Sequence, residues 1–309
     1  MATGEKKWTL AAETLIDASP VYDDGIIYIG TDGGILLAVD IKTGKAKWQF
    51  KTEGRIAGQA AVTTIKREGD KNDKNGEDKE DKEDKVVIVG SHDGQLYCLN
   101  AADGSKRWAY ETGNYVNCGI VVDDDTIVLG GCDTMMHLID LKTGKGTAQI
   151  ELGGEVAGTP ALNNHHAYIG HMQGEVLAVN LKNKKVTWRF RDRDFPFIGS
   201  PALSGDTLLI GSRGRRVYAV DRKTGKKRWD IRTRGGVEGA PVIAKNRAVF
   251  GSAGGRLSII EMKDGATVWE HDLGSAMNVS PAVTDKLIVV GSEDGSVYAF
   301  KPSQTPNAD

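Results

Sequence analysis

Short apolar runs separated by polar turns recur along the whole chain. Residues 280–283, 287–291 and 296–300 show the arrangement, with turn-forming pairs such as Asp285-Lys286 and Asp294-Gly295 between them. Gly, Asp and Asn favour such turns because they tolerate the required backbone angles or hydrogen-bond to the nearby backbone. No segment has a convincing helical period of 3.6 residues. The pattern therefore predicts many short β-strands and an all-β fold.

The six tryptophans place these strands in a repeat. They stand at positions 8, 48, 108, 188, 229 and 269, with spacings of 40, 60, 80, 41 and 40 residues. The spacing of 80 is two periods with Ala148 at the vacant position, and the spacing of 60 contains 20 additional residues, most of them charged. Four short strands in a repeat of ~40 residues are the signature of a β-propeller. The sequence predicts one domain, 1–309, that is a seven-bladed β-propeller of four-stranded antiparallel blades.

The two ends of the chain complement each other within this repeat. Lys6–Leu10 has the sequence of a fourth strand, and residues 279–300 supply only three strands of the last unit. Pairing the two segments would complete the seventh blade and leave no unpaired strand edge. We therefore expect the N-terminal strand to close the ring by completing the C-terminal blade.

A charged insertion, residues 66–85, interrupts the second unit between its first and second strands. It holds nine acidic and seven basic residues and no apolar side chain, so we predict that it is disordered. Outside it the chain has 33 residues of each sign, which argues against a nucleic-acid-binding protein. No apolar run approaches ~18 residues, so direct membrane insertion is not expected, and the polar N-terminus does not resemble a signal peptide.

A recurring column of residues resembles a known family. The pattern Ala-x-Asp-x-x-Thr-Gly-Lys-x-x-Trp, present at Ala38 to Trp48 and at Ala219 to Trp229, is similar to the tryptophan-docking repeat of the pyrroloquinoline-quinone-like β-propellers. That resemblance implies that each ring stacks between the small residue of its own motif and the Thr-Gly turn of the next blade. Well-known members have eight blades, whereas this chain supplies seven units. The expected docking residues are Trp8, Trp48, Trp108, Trp188, Trp229 and Trp269.

The family includes quinoprotein alcohol dehydrogenases and a lipoprotein of the outer-membrane assembly machinery. The resemblance to the lipoprotein implies a non-catalytic binding or scaffold propeller, with a protein partner or an anionic ligand, in the periplasm or cell envelope of a bacterium. We expect a monomer without a cofactor. The alternatives are a ligand-sensing module of a larger protein and a dehydrogenase with pyrroloquinoline quinone and calcium. The chain lacks an adjacent cysteine pair, and no catalytic residue is assigned; the candidate cation ligands are Asp17, Glu238, Asn278 and Glu293.

The loops between second and third strands, and those between blades, share one set of strand ends, here called the upper ends. The turns between first and second strands and those between third and fourth strands lie at the opposite, lower ends. Upper loops of successive blades carry metal-capable residues, namely His92, Cys132, His171 and Met172. Because no tight local spacing unites them, we do not predict a metal site. Cys98, Cys118 and Cys132 are expected to be free thiols.

Charge along the upper loops predicts a polarised surface. Glu13, Asp17, Asp32, Glu238, Asp272, Glu293 and Asp294 lie around blades six to one, and only Asp192 and Asp194 accompany the basic residues of blades four to six. Arginine recognises carboxylate or phosphate through a planar fork. We therefore predict a binding surface for an acidic segment or anionic ligand, the Arg arc, formed by Arg191, Arg193, Arg213, Arg215, Arg216, Arg232, Arg234 and Arg256 with Phe195 and Phe197.

Overall fold

A computed structural model describes residues 5–66 and 83–301. These residues form 27 β-strands and no helix, arranged as six four-stranded sheets and one three-stranded sheet. Every sheet is an antiparallel meander of consecutive strands, which confirms the predicted seven-bladed β-propeller class. No helix among the described residues is available to cross a membrane. The chain divides into two compact units, residues 1–159 and 160–309.

Unit 1 contains the first three blades. Each first strand pairs with a longer second strand, and each fourth strand is the most exposed of its sheet. The strands are β1 Val21–Asp23, β2 Ile26–Gly30, β3 Ile35–Asp40 and β4 Ala46–Lys51 in blade one; β5 Ala61–Lys66, β6 Glu83–Gly90, β7 Gln95–Asn100 and β8 Lys106–Glu111 in blade two; and β9 Val121–Asp123, β10 Thr126–Gly130, β11 Met135–Asp140 and β12 Gly146–Glu151 in blade three.

Unit 2 contains the other four blades. The strands are β13 Ala161–Asn163, β14 His166–Gly170, β15 Val176–Asn180 and β16 Lys185–Phe190 in blade four; β17 Ala202–Ser204, β18 Thr207–Ser212, β19 Arg216–Asp221 and β20 Lys227–Arg232 in blade five; β21 Val242–Ala244, β22 Arg247–Gly251, β23 Arg256–Glu261 and β24 Thr267–Asp272 in blade six; and β25 Ala282–Val283, β26 Ile288–Gly291 and β27 Val297–Phe300 in blade seven.

The second and third strands carry the core. Strand β18 is buried along its whole length, and β19 is buried at its four central residues. Tyr168, Phe190 and Tyr218 pack with aliphatic side chains of blades four and five in one core cluster. Apolar side chains on both faces of these strands explain the continuous apolar runs of the sequence, because each sheet is covered on two sides.

A β-bulge follows the small residue of the docking motif. Ala38 lies opposite Trp48 and Ala219 lies opposite Trp229, and in both blades the register shifts at the next residue. The same shift occurs between third and fourth strands in blades two, three, four and six. In blade three Leu138 lies opposite Ala148, so the larger residue has moved to the other strand of the pair.

The N-terminal segment differs from its prediction. Residues 5–10 form no strand, and the described sheet of blade seven has three strands rather than four. The expected strand Lys6–Leu10 is therefore not among the observed strand pairings. Apart from part-buried Trp8, the segment is exposed, so side-chain docking rather than a backbone ladder holds it.

The charged insertion is shorter than predicted. Lys66 ends β5, and Glu83 to Lys85 begin β6, paired across the hairpin with Lys66, Ile65 and Thr64. Arg107 Nη2 bonds to Asp84 Oδ2 at 2.6 Å, which helps to place this end of the strand. Residues 67–82, the remainder of the segment predicted to be disordered, lie outside the described residues.

Candidate protein-docking surface

Tryptophan docking is present where the repeat predicts it. A Cβ built on Gly44 would lie 2.5 Å from Trp8 Cδ2, and one on Gly225 would lie 2.8 Å from Trp188 Cδ2. Only glycine allows a ring to approach the turn so closely. Each indole N–H also donates to a carbonyl at the start of that turn, at 2.8 Å for Ile41 and 3.0 Å for Arg222. The same pair of contacts recurs for Trp48, Trp108 and Trp229.

Trp269 has a different environment among the described residues. Its ring stacks on His271, with centroids 5.7 Å apart, and meets Phe300 edge-on at 5.5 Å. Ile259 lies opposite it on the neighbouring strand. The residues after Lys301, which would form the next turn of the repeat, lie outside the described range, so docking of Trp269 on a turn stays a prediction.

The Arg arc lies wholly in unit 2, and most of its charge is neutralised there. Six of its eight guanidinium groups contact carboxylates within 4.0 Å. Arg213 pairs with Glu238 at 3.0 Å, and Arg256 pairs with Glu270 at 2.8 Å. The full set of contacts is Arg191 with Glu175 and Asp194, Arg193 with Asp192, Arg213 with Glu238, Arg216 with Asp230, Arg234 with Asp272, and Arg256 with Glu270.

For two of these carboxylates the charge pattern of the sequence predicts a position on the acidic side of the polarised surface. Glu238 and Asp272 instead bond to Arg213 and Arg234. Their backbones approach because each inter-blade loop hydrogen-bonds to the upper loop of a neighbouring blade; Val237 N, for example, donates to Ser212 O at 3.1 Å. The basic and acidic sets of unit 2 are therefore interleaved rather than separated.

Arg215 and Arg232 remain without a carboxylate partner in the described structure. Both side chains are exposed. Thr233 N donates to Arg215 O at 2.9 Å, which brings the backbone of Arg232 next to that of Arg215. Phe195 lies beside them: a Cβ on Gly214 would be 2.7 Å from Phe195 Cδ2. Since Phe195 is 47% exposed, it offers an apolar contact next to two free cations. We call Phe195, Arg215 and Arg232 the Arg–Phe patch.

The loop that carries Phe195 is anchored by polar contacts. Asp192 accepts hydrogen bonds from Lys227 Nζ at 2.9 Å and from Tyr218 Oη at 3.2 Å. The hydrogen bond from the Lys227 ammonium lowers the pKa of Asp192, and burial raises the pKa of Tyr218 to about 12. Both groups therefore keep their hydrogen-bonding states at neutral pH, and these bonds anchor the loop that carries Phe195.

Phe197 is not part of this surface. It is 1% exposed and packs in the core cluster of blades four and five, with its ring 5.5 Å from that of Tyr218. The sequence assignment of Phe197 to a binding surface is corrected accordingly. An apolar residue directly after proline in a loop gave no signal that separates exposure from burial, because burial depends on the neighbouring blade.

The candidate calcium ligands are already bonded to other side chains. Arg55 Nη2 bonds to Asp17 Oδ2 at 2.7 Å, Arg213 bonds to Glu238, and Asn278 Nδ2 donates to Glu293 Oε1 at 2.7 Å. An arginine beside a carboxylate occupies the position that a cation would need. Asp17 and Glu238 are therefore engaged by arginines, whereas Asn278 and Glu293 bond to each other.

The metal-capable residues also have other roles. His92 Nε2 lies 3.1 Å from Asn117 Oδ1, and its ring stacks on Tyr115. His171 is buried, and burial lowers its pKa below the usual value although Glu175 lies 3.3 Å away. All three cysteines are free thiols, as predicted. Burial raises the pKa values of Cys98 and Cys118 to about 12, so neither is a thiolate at neutral pH.

Sequence comparison identifies the family. The family profile described as "Outer membrane protein assembly factor BamB" matches residues 1–194 and 174–305. The chain belongs to this family. It is 26% identical over 188 residues to the outer membrane protein assembly factor BamB of Burkholderia pseudomallei, which covers 56% of this chain and 45% of that protein.

Other relatives cover smaller parts of the repeat. The dehydrogenase subunit of the quinone alcohol dehydrogenase of Acetobacter aceti is 33% identical over 108 residues, which is 34% of this chain and 13% of that protein. The chain spans less than half the length of these curated relatives.

The crystal structure of BamB from Moraxella catarrhalis matches 97% of this chain and 88% of that one, with a TM-score of 0.75 and 23% identity, and so shares its fold.

Proposed function

We propose that this chain is a non-catalytic β-propeller that binds a protein partner in the bacterial cell envelope, outside the cytoplasm. Membership of the BamB family supports this assignment, since the relatives from Burkholderia pseudomallei and Moranella endobia are named as outer membrane protein assembly factors. A scaffold needs an accessible surface with specific chemistry rather than a reactive centre. The chain acts as a monomer in this proposal.

The Arg–Phe patch is the observation that carries the proposal for a binding surface. It combines an exposed aromatic ring with two cations that lack carboxylate partners among the described residues. Interface centres are enriched in aromatic residues and arginine. The six other arginines of the arc support the surface by fixing loop positions through ion pairs. The patch suits an acidic protein segment, whose carboxylates would engage Arg215 and Arg232 while an apolar residue contacts Phe195.

The test compares two pairs of charge removals in the full chain. Arg215→Ser with Arg232→Ser removes the free cations, whereas Lys226→Ser with Lys263→Ser removes two exposed cations at the lower ends of the same unit. Binding of a fluorescein-labelled deca-glutamate peptide is followed by fluorescence anisotropy at 50 mM and 500 mM salt. We expect the first pair to raise Kd about 5-fold at low salt and much less at high salt, because exposed ion pairs are screened.

Equal effects of the two pairs would contradict the assignment of the patch. Phe195→Ser supplies a charge-neutral check. It should weaken the binding of a leucine-containing acidic peptide without changing the salt dependence of that binding. Titration with pyrroloquinoline quinone and calcium addresses the dehydrogenase alternative. Stoichiometric quinone binding together with alcohol-dependent dye reduction would overturn the non-catalytic proposal.

A further inference from the structure

A second surface, in unit 1, has the opposite charge. The residues at one position of its inter-blade loops are Leu15, Arg55, Tyr115 and Glu155, which precede Ile16, Ile56, Val116 and Val156. Leu15 is 73% exposed and Tyr115 is 53% exposed. Large apolar side chains at such exposure, held at the same loop position on either side of the Arg55 loop, are a feature of interaction surfaces rather than of a solvated rim.

Backbone and side-chain contacts make these loops one continuous surface. Asp32 N donates to Leu15 O, His92 N donates to Arg55 O, and Cys132 N donates to Tyr115 O, each at 2.9 to 3.2 Å. Val156 N donates to Gly131 O at 3.2 Å, which joins the loop of Glu155 to that of Cys132. The row therefore has a fixed geometry set by the blades beneath it.

An aromatic platform lies at the centre of this row. The rings of His92 and Tyr115 are stacked, with centroids 4.9 Å apart and planes 6° from parallel. The bond between His92 and Asn117 fixes the imidazole, so the exposed tyrosine ring is supported from one side. A flat, exposed aromatic face attracts a cation, and a guanidinium stacks on it better than an ammonium.

Unpaired carboxylates flank the platform. Glu53 N donates to Asp93 Oδ2, which places Glu53 beside the loop of His92. Burial raises the pKa of Cys132, and the nearby charge of Glu155 raises it further. Both glutamates are exposed and have no cationic partner in the described part of unit 1. Arg55 adds no net positive charge, since Asp17 and Asp32 lie 2.7 and 3.5 Å from its guanidinium.

The distribution of basic residues in the rest of unit 1 leaves the upper side of the unit negatively charged. Of its described basic residues, Lys51 and Arg55 are at the upper ends, and Lys51 Nζ donates to Gly33 O. The others lie in the N-terminal segment, in the lower turns, or on strands near those turns. A positive partner would therefore meet attraction over the whole upper side of this unit, which favours one orientation of approach.

We propose that the surface formed by Leu15, Glu53, His92, Tyr115 and Glu155 docks a basic protein segment. A guanidinium of that segment stacks on Tyr115, neighbouring cations pair with Glu53 and Glu155, and an apolar side chain contacts Leu15. The inference concerns unit 1 and does not depend on the Arg–Phe patch of unit 2. Together the two surfaces would let one chain hold two segments of opposite charge.

The test uses the full chain and labelled deca-arginine and deca-lysine peptides, with anisotropy as the readout. The parent protein should bind deca-arginine more tightly than deca-lysine. We expect Tyr115→Ala to weaken deca-arginine binding about 3-fold and to remove the preference for arginine, whereas Tyr115→Phe retains it. The double substitution Glu53→Gln with Glu155→Gln should weaken the binding of both peptides and reduce the salt dependence of that binding.

The matched control is Asp24→Asn with Asp124→Asn. It removes the same charge from two exposed lower turns of unit 1, where asparagine also tolerates the left-handed backbone of these residues. If the control substitutions weaken peptide binding as much as the two glutamate substitutions do, the proposal is overturned, because binding then follows net charge alone. An unchanged deca-arginine affinity in Tyr115→Ala would overturn the platform, and Arg215→Ser should leave both affinities intact.

Discussion

At the scale of single residues, the turn glycine of the docking motif meets two requirements at once. Gly144 has φ of +68°, and a Cβ on it would lie 2.5 Å from Trp108 Cδ2. Gly25 has a similar φ of +80° but nothing within 4 Å of its Cβ position. The two glycines therefore separate the cost of the left-handed backbone from the cost of displacing a docked ring.

We expect Gly25→Ala to lower the free energy of unfolding by about 1 kcal/mol, the usual penalty for a left-handed alanine. Gly144→Ala should lose a further ~2 kcal/mol, because the added methyl pushes the Trp108 ring out of its contact. Urea denaturation of both variants measures the difference. Equal losses would mean that the glycine is needed only for its backbone angle.

At the scale of elements, the hairpin between third and fourth strands is held by one carboxylate. Asp40, Asp140 and Asp221 each accept a hydrogen bond from the backbone N–H of the threonine three residues later, and from its hydroxyl at 2.6 to 3.0 Å. These bonds lower the pKa values of Asp40 and Asp140. For Asp221 the Arg228 guanidinium is the largest cause, and the pKa falls to about 2.

The sign of this shift predicts acid sensitivity of the hairpins. A carboxylate whose pKa is lower in the folded state stabilises the fold above about pH 4, and that contribution is lost as the pH falls toward 2. After allowance for solvent screening, we expect Asp221 to contribute about 1 kcal/mol at neutral pH. Asp221→Asn should be less stable at pH 7 and should lose less stability between pH 4 and 2, measured by thermal unfolding. An unchanged slope would show that Asp221 titrates normally.

At the scale of the whole molecule, one short segment tests how the chain ends are organised. Residues 5–10 form no strand, and the described contacts of Trp8 are with the turn of blade one. The structure therefore assigns this segment a docking role in unit 1. The repeat pattern, by contrast, predicts that it also completes the sheet of blade seven.

Deletion of residues 1–10 and the substitution Trp8→Ala distinguish the two. Loss of a part-buried tryptophan should cost about 2 kcal/mol, below the 3–5 kcal/mol of a fully buried one, and should lower Tm by several degrees. If docking alone holds the segment, the deletion and the substitution should lower Tm equally in a thermal melt. A much larger loss for the deletion would favour strand pairing in blade seven.

The sequence alone determined the blade number, the strand order and the docking of Trp48, Trp108, Trp188 and Trp229. Each of these follows from a pattern repeated every ~40 residues, so an irregular unit such as blade three did not obscure it. Ala148 was readable as the occupant of the vacant tryptophan position, whereas the structure showed that Leu138 lies opposite it. The bulge after the small residue was not, since a register shift leaves no mark in composition.

Which charges and rings are available for binding depends on contacts between blades. Arg213 and Glu238 are 25 residues apart, and Arg234 and Asp272 are 38 apart, so no local pattern announces these ion pairs. Phe195 and Phe197 are separated by one proline, yet one lies exposed and the other is buried against Tyr218. A repeat fixes the backbone of each blade from within, but pairing and burial depend on the side chains that a neighbouring blade brings against it.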